Sequence, residues 1–142
     1  MTNIFRFASI AGLLVISGVA SFAQMGELRA DIPFAFATPN GGELPAGHYL
    51  VGRMSQRSGL TVYRFLNVAT HQSAIALASD AVKRSPADKT FKPELKFRCA
   101  GDACAIAGIY RAGEQYGDGV RVHLKNVDPT TQIAEIAIPF GE

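Results

Sequence analysis

Apolar and polar residues alternate with a period of two along most of this chain, and Gly, Pro, Asn and Asp interrupt the alternation at short intervals. Such a pattern predicts short strands joined by turns. Leu28, Ala30, Ile32, Phe34 and Phe36 alternate with Arg29, Asp31, Pro33 and Ala35, which predicts a half-buried first strand. Pro33 has no N–H to donate, so that strand is expected at a sheet edge or with a bulge. Leu44-Pro45-Ala46-Gly47 fits a type I turn, with Pro second and Gly fourth, and launches a strand from His48 to Met54. A hairpin connection over Ser55–Gly59 leads into Leu60–Leu66. His71–Ser79 reads both ways: its alanines suit a helix, while alternating Ile75 and Leu77 favour a strand. Lys83–Lys89 is a polar connection, followed by paired strands over Leu95–Cys99 and Cys104–Arg111. Glycines 113, 117 and 119 read as turn glycines before a strand over Val120–Lys125, and Gln132–Pro139 is the last strand. The fold class is therefore all-β: a single small β-sandwich or β-barrel of about eight antiparallel strands.

The first 23 residues follow another rule. One positive side chain, Arg6, precedes an apolar run from Ala8 to Ala20, and the run ends in Ser21-Phe22-Ala23. A positive start, a short apolar middle and a small-x-small end describe a cleaved signal helix over residues 1–23, with the cut between Ala23 and Gln24. The apolar run is shorter than the roughly 20 residues that cross a bilayer, so no membrane span is expected in the mature protein. The expectation is a periplasmic or secreted single domain over residues 24–142. Its charge is nearly balanced: the chain has 14 Lys plus Arg against 12 Asp plus Glu, and Arg6 leaves with the leader. That balance argues against nucleic acid as a partner, which requires a concentrated positive field.

The two cysteines are Cys99 and Cys104. In an exported chain an even count reads first as a disulfide. If Gly101-Asp102 forms a two-residue loop, Gly first as a type II′ turn prefers, Cys99 and Cys104 fall opposite one another at a non-hydrogen-bonded pair. A bond can form there with little backbone shift, as a local hairpin staple. The four-residue gap is not that of a redox motif, and no further Cys supports zinc.

The remaining chemistry is sparse. His48, His71 and His123 are far apart, with no metal-ligand spacing, and neither His48 nor His71 has a carboxylate or nucleophile spaced as a catalytic partner. No metal and no cofactor is expected. Arg121, His123 and Lys125 share the polar side of one alternating segment and form a surface strip, read first as a solvated face. Lys83, Arg84, Lys89, Lys92, Lys96 and Arg98, interleaved with Asp88 and Glu94, read as a solvated loop. No serine sits in a Gly-x-Ser-x-Gly elbow, and the chain reads as a non-enzyme.

Two motifs carry a resemblance. Ile32-Pro33-Phe34-Ala35-Phe36 followed by Leu44-Pro45-Ala46-Gly47-His48-Tyr49 resembles an uncharacterised family of small exported bacterial β proteins with "IPFxF … LPAGxY" motifs. A later hairpin, Leu95-Lys96-Phe97 through Gly101 to Ile106, fits that family's pattern, and the cysteines beside its turn depart from it. The resemblance implies export and a β fold, and no activity. The functional expectation is an exported non-enzymatic β domain acting by contacts with a protein or the cell envelope. Its alternative is a small β-barrel carrier of an apolar ligand.

Overall fold

The computed structural model describes residues 26–39, 42–57, 60–121, 124 and 127–141. The leader, with Ala23 and Gln24, lies outside the described residues, as do His123 and Lys125. Ten strands follow in chain order: β1 Leu28–Ile32, β2 Phe36–Ala37, β3 Glu43–Leu44, β4 Gly47–Arg57, β5 Leu60–Asn67, β6 Ser73–Lys83, β7 Glu94–Ala100, β8 Ala103–Tyr110, β9 Tyr116–Val120 and β10 Ile133–Gly141. Eight of them close an antiparallel barrel in the order β8-β7-β10-β1-β4-β5-β6-β9, with β9 returning to β8. Of the two architectures left open by the alternation, the chain forms the barrel.

Pro33 ends β1 rather than riding inside it, so the expected strand from Leu28 to Phe36 is two pieces, β1 and β2. The chain between them leaves the wall and re-emerges against β8, where Phe36 and Ala37 pair in parallel with Cys104 and Ala105. Further along the same edge of β8, Gly108 and Ile109 pair with β9. One edge of β8 thus serves two neighbours, and among the described residues the barrel closes on a ladder of two residue pairs.

The glycines of β9 make that closure possible. Gly117 and Gly119 were expected in a turn, but both lie in the strand. A Cβ at Gly117 would stand 2.6 Å from the Tyr110 ring, so only glycine lets that ring lie flat on β9. β9 ends at Val120, and residues 122, 123 and 125 of the strand expected over Val120–Lys125 lie outside the described residues.

The interior is filled by side chains. Phe36 sits at the centre, edge-to-face with Tyr49 (centroids 5.4 Å), Phe65 (6.0 Å) and Phe97 (5.3 Å), while Phe34 meets Phe97 at 5.1 Å. These ring contacts add about 0.5–1.5 kcal/mol each beyond their buried area. The "IPFxF" segment is therefore a plug that crosses one end of the barrel. The "LPAGxY" segment holds it: Leu44 pairs with Phe36, and the Tyr49 hydroxyl donates to the Pro45 carbonyl. Facing this bulk, β6 turns only Ala74, Ala76 and Ala78 inward and carries Ile75 and Leu77 on its outer face, 41% and 47% exposed.

Gly101 adopts φ +60° and opens the hairpin loop as expected, with Cys99 opposite Cys104 and Ala100 opposite Ala103. The cysteines are bonded, with Cα atoms 4.0 Å apart and both side chains buried in the barrel core. The loop closed by the bond is short, so the double substitution Cys99→Ala with Cys104→Ala is expected to cost about 2 kcal/mol. Urea unfolding with and without reductant checks this, because reductant should then reproduce the loss in the wild type and leave the variant unmoved.

Candidate functional site

Three features stand out once the barrel is assembled. The first is a seam. β10 pairs with β7 over its whole length from Ile133 to Pro139, but with β1 only at Phe140 and Gly141. Beyond Ala30, β1 and β10 part. Phe140 donates its N–H to Pro93 on the β7 side, so in the regular pleat Ala134, Ile136 and Ile138 also face β7. Ile133, Glu135 and Ala137 then turn their backbone groups toward the open side, where no described strand pairs with them. Pro139 falls on that side too, and its missing N–H stops the β1 ladder from running further along β10. Ile133 is 57% exposed, and the inward Ile136 and Ile138 are only half-buried because the wall beside them is parted. A groove of about 710 Å³ lies at the fork, lined by apolar groups such as Pro33, Leu50, Val68 and Ile138 and edged by Arg29, Asp31 and His48. His48 and Asp31 are direct cross-strand partners, and the imidazole Nδ1 contacts the carboxylate on the exposed outer face. The sequence separation of 17 hides that pair until β1 and β4 are in register.

The second feature is the barrel mouth away from the plug. Arg53 on β4 faces Tyr63 on β5, and Arg111 follows β8. The Tyr63 hydroxyl donates to the Asp118 carboxylate, and Arg111 reaches the same hydroxyl at 3.4 Å. Burial, reinforced by the Asp118 carboxylate, keeps Tyr63 protonated well above the ordinary phenol range. A hollow of about 370 Å³ opens there.

The third is Arg84, which corrects the reading of its segment as a solvated loop. Its side chain is buried, and its guanidinium is fully engaged. Nε donates to the Glu114 carbonyl, Nη1 to the Asp88 carboxylate, and Nη2 to the carbonyls of Lys92 and Arg111. Glu94 adds a carboxylate at 3.7 Å, and the guanidinium lies 4.9 Å above the Tyr110 ring. Asp88 is held below the usual carboxylate range, chiefly by this hydrogen bond from Arg84. Arg84 ties the 84–93 loop to the 111–115 turn and covers the ring that lies on β9.

No protein family, curated protein or solved structure matches this chain. Of the expected surface strip, Arg121 is exposed and forks onto Asp80 at 2.6 and 3.0 Å, which holds the Asp80 carboxyl below its usual range. An ion pair of this kind is a solvated-face contact. Of the basic cluster, Lys96 pairs with Glu135 at 3.2 Å and lies over Tyr110, linking β7 to β10. Among the described residues, no group of three His, Cys, Asp or Glu side chains could hold a metal ion, and no helix is long and apolar enough to cross a membrane.

Proposed function

We propose that this chain is an exported, non-enzymatic β-barrel domain that binds an extended segment of another envelope or secreted polypeptide along β10. The observation that carries the reading is the edge of β10 from Ile133 to Ala137, with which no described strand pairs. An incoming strand would find backbone groups at Ile133, Glu135 and Ala137 that no described strand pairs, and half-buried Ile136 and Ile138 for alternate apolar side chains. Main-chain bonds would supply affinity and the two isoleucines would set the side-chain pattern. Pro139 and the charge of Glu135 narrow which strands fit, as edges in stable proteins commonly do. Export is supported by the composition of residues 1–23, by the "IPFxF … LPAGxY" resemblance and by the cysteine staple.

The carrier reading rests on the 710 Å³ groove at the fork. Against it, the barrel interior, where such a ligand is usually enclosed, is occupied by Phe36 and the rings around it. A groove open along a strand edge suits a polypeptide better than a small molecule.

A photo-crosslinking residue placed in turn at positions 133, 135 and 137 tests the strand-addition reading. The expected adducts fall on one partner segment and advance by two residues for each step along β10. Crosslinks scattered over unrelated partner surfaces, or none in the native compartment, would contradict it.

A further inference from the structure

We propose that the groove at the fork anchors the polypeptide docked on β10, by taking a bulky aromatic side chain from the segment just N-terminal to the added strand. The inference rests on the strand-addition reading and names what the docked chain carries besides an alternating strand. Its route follows from the seam. β1 occupies the edge of β10 at Phe140 and Gly141, so a chain paired opposite residues 133–137 has to leave the sheet before Phe140. The way inward is filled: Ile32 and Phe36 are each 1% exposed, and Phe34 lies on Phe97. The way outward leads into the groove. Pro139, Leu50 and Val68 line it, and each faces outward next to a buried neighbour, Phe140, Tyr49 and Asn67 respectively. An added residue opposite Pro139 points its side chain to this same outer face, because strand side chains alternate. At about 710 Å³ the groove falls within the range of about 300–1,000 Å³ typical of ligand pockets, room for a bend in the chain and a ring.

The direction of the added strand decides which of its ends reaches the fork. Both ladders that β10 makes are antiparallel, which is also the slightly stronger arrangement. β10 runs toward the fork, so an antiparallel strand arrives there with its N-terminal end. The groove itself selects the side chain. Pro33, Leu50, Val68, Ile138 and Pro139 give it broad apolar walls. An aromatic ring covers such walls while fixing only two side-chain torsions, which makes it a better anchor than a long flexible aliphatic. The docked segment therefore reads, from its N-terminus, as an aromatic residue opposite Pro139, a small residue at the bend opposite Ile138, and a strand whose apolar side chains lie against Ile136 and Ala134.

The synthetic peptide acetyl-Phe-Gly-Thr-Val-Thr-Val-Thr, with a fluorophore at its C-terminal end, is a suitable probe, titrated with the folded protein and read by anisotropy and by the protein's amide chemical shifts. It is expected to bind about tenfold or more tightly than the same peptide with Ala in place of Phe, the gain for burying one aromatic side chain. The peptide of reversed sequence should bind no more tightly than the Ala peptide. Val68→Asp changes a side chain that is 49% exposed and places a charge in the groove, so the ratio of the Phe and Ala affinities should fall to near one. If both peptides bind alike while shifting the Glu135 and Ala137 amides, the β10 edge stands and the anchor is overturned. A ratio that survives in Val68→Asp overturns it as well, because the ring then sits elsewhere. Equal binding of the reversed peptide overturns the N-terminal placement. If neither peptide binds or moves those amides, the strand-addition reading falls and the anchor falls with it.

Discussion

Replacing Arg84 with Met is expected to lower the free energy of unfolding by about 3–5 kcal/mol, the range found when one partner of a buried ionic network is removed. The magnitude follows from what is left behind. Three carbonyls, those of Lys92, Arg111 and Glu114, lose their donor at once, and Asp88 and Glu94 lose their counter-charge. Each orphaned buried acceptor costs about 1–3 kcal/mol, tempered where the loop relaxes and water enters. Arg84→Lys should recover little, because one ammonium cannot reproduce a four-bond planar fork. Guanidinium-chloride unfolding measures both variants. A loss below about 1 kcal/mol, the value of an exposed ion pair, would return this segment to the solvated loop its composition suggests.

Phe36→Ala is expected to cost a similar amount, about 3–5 kcal/mol, for a different reason. Phe36 is 1% exposed and touches three rings from three strands, so truncation leaves a hole that those rings cannot collapse into without breaking one another's geometry. It also removes the side chain that anchors β2 against β8, where the barrel has its split edge. Phe34→Ala, which removes a partly buried ring with one aromatic partner among the described residues, should cost clearly less. Thermal unfolding of the two variants checks the order. Equal losses would mean that the segment is a loose lid and not a plug centred on Phe36.

What the sequence disclosed depended on range. The cysteine hairpin was legible to the residue, since five positions of local chain fix its register and Gly101 fixes its turn. The alternation found most strands and favoured the strand over the helix at His71–Ser79, where β6 runs from Ser73 to Lys83. It failed where long-range closure overrode local signals. Gly117 and Gly119 look like turn residues, and their role in β9 is visible only once Tyr110 lies upon them. Arg84 looks like its basic neighbours, because burial of a charged side chain depends on carbonyls up to 30 residues away. Arg53, Tyr63 and Asp118 carry no motif: Tyr63 and Asp118 meet across 55 residues of chain, on strands that are neighbours of β6 and not of each other. The edge strand was anticipated from Pro33, but the open edge belongs to β10, where Pro139 plays the part assigned to Pro33.

The parted seam is the feature on which the proposed function stands, and residue-resolved amide hydrogen exchange of β10 tests it most directly. Ile136 and Ile138 face β7 and should be protected, whereas Glu135 and Ala137 face the open side and should exchange faster by orders of magnitude. A two-residue alternation of fast and slow amides along β10 is the result this account predicts. Uniform protection across all four would show that the edge is already covered, and would contradict it.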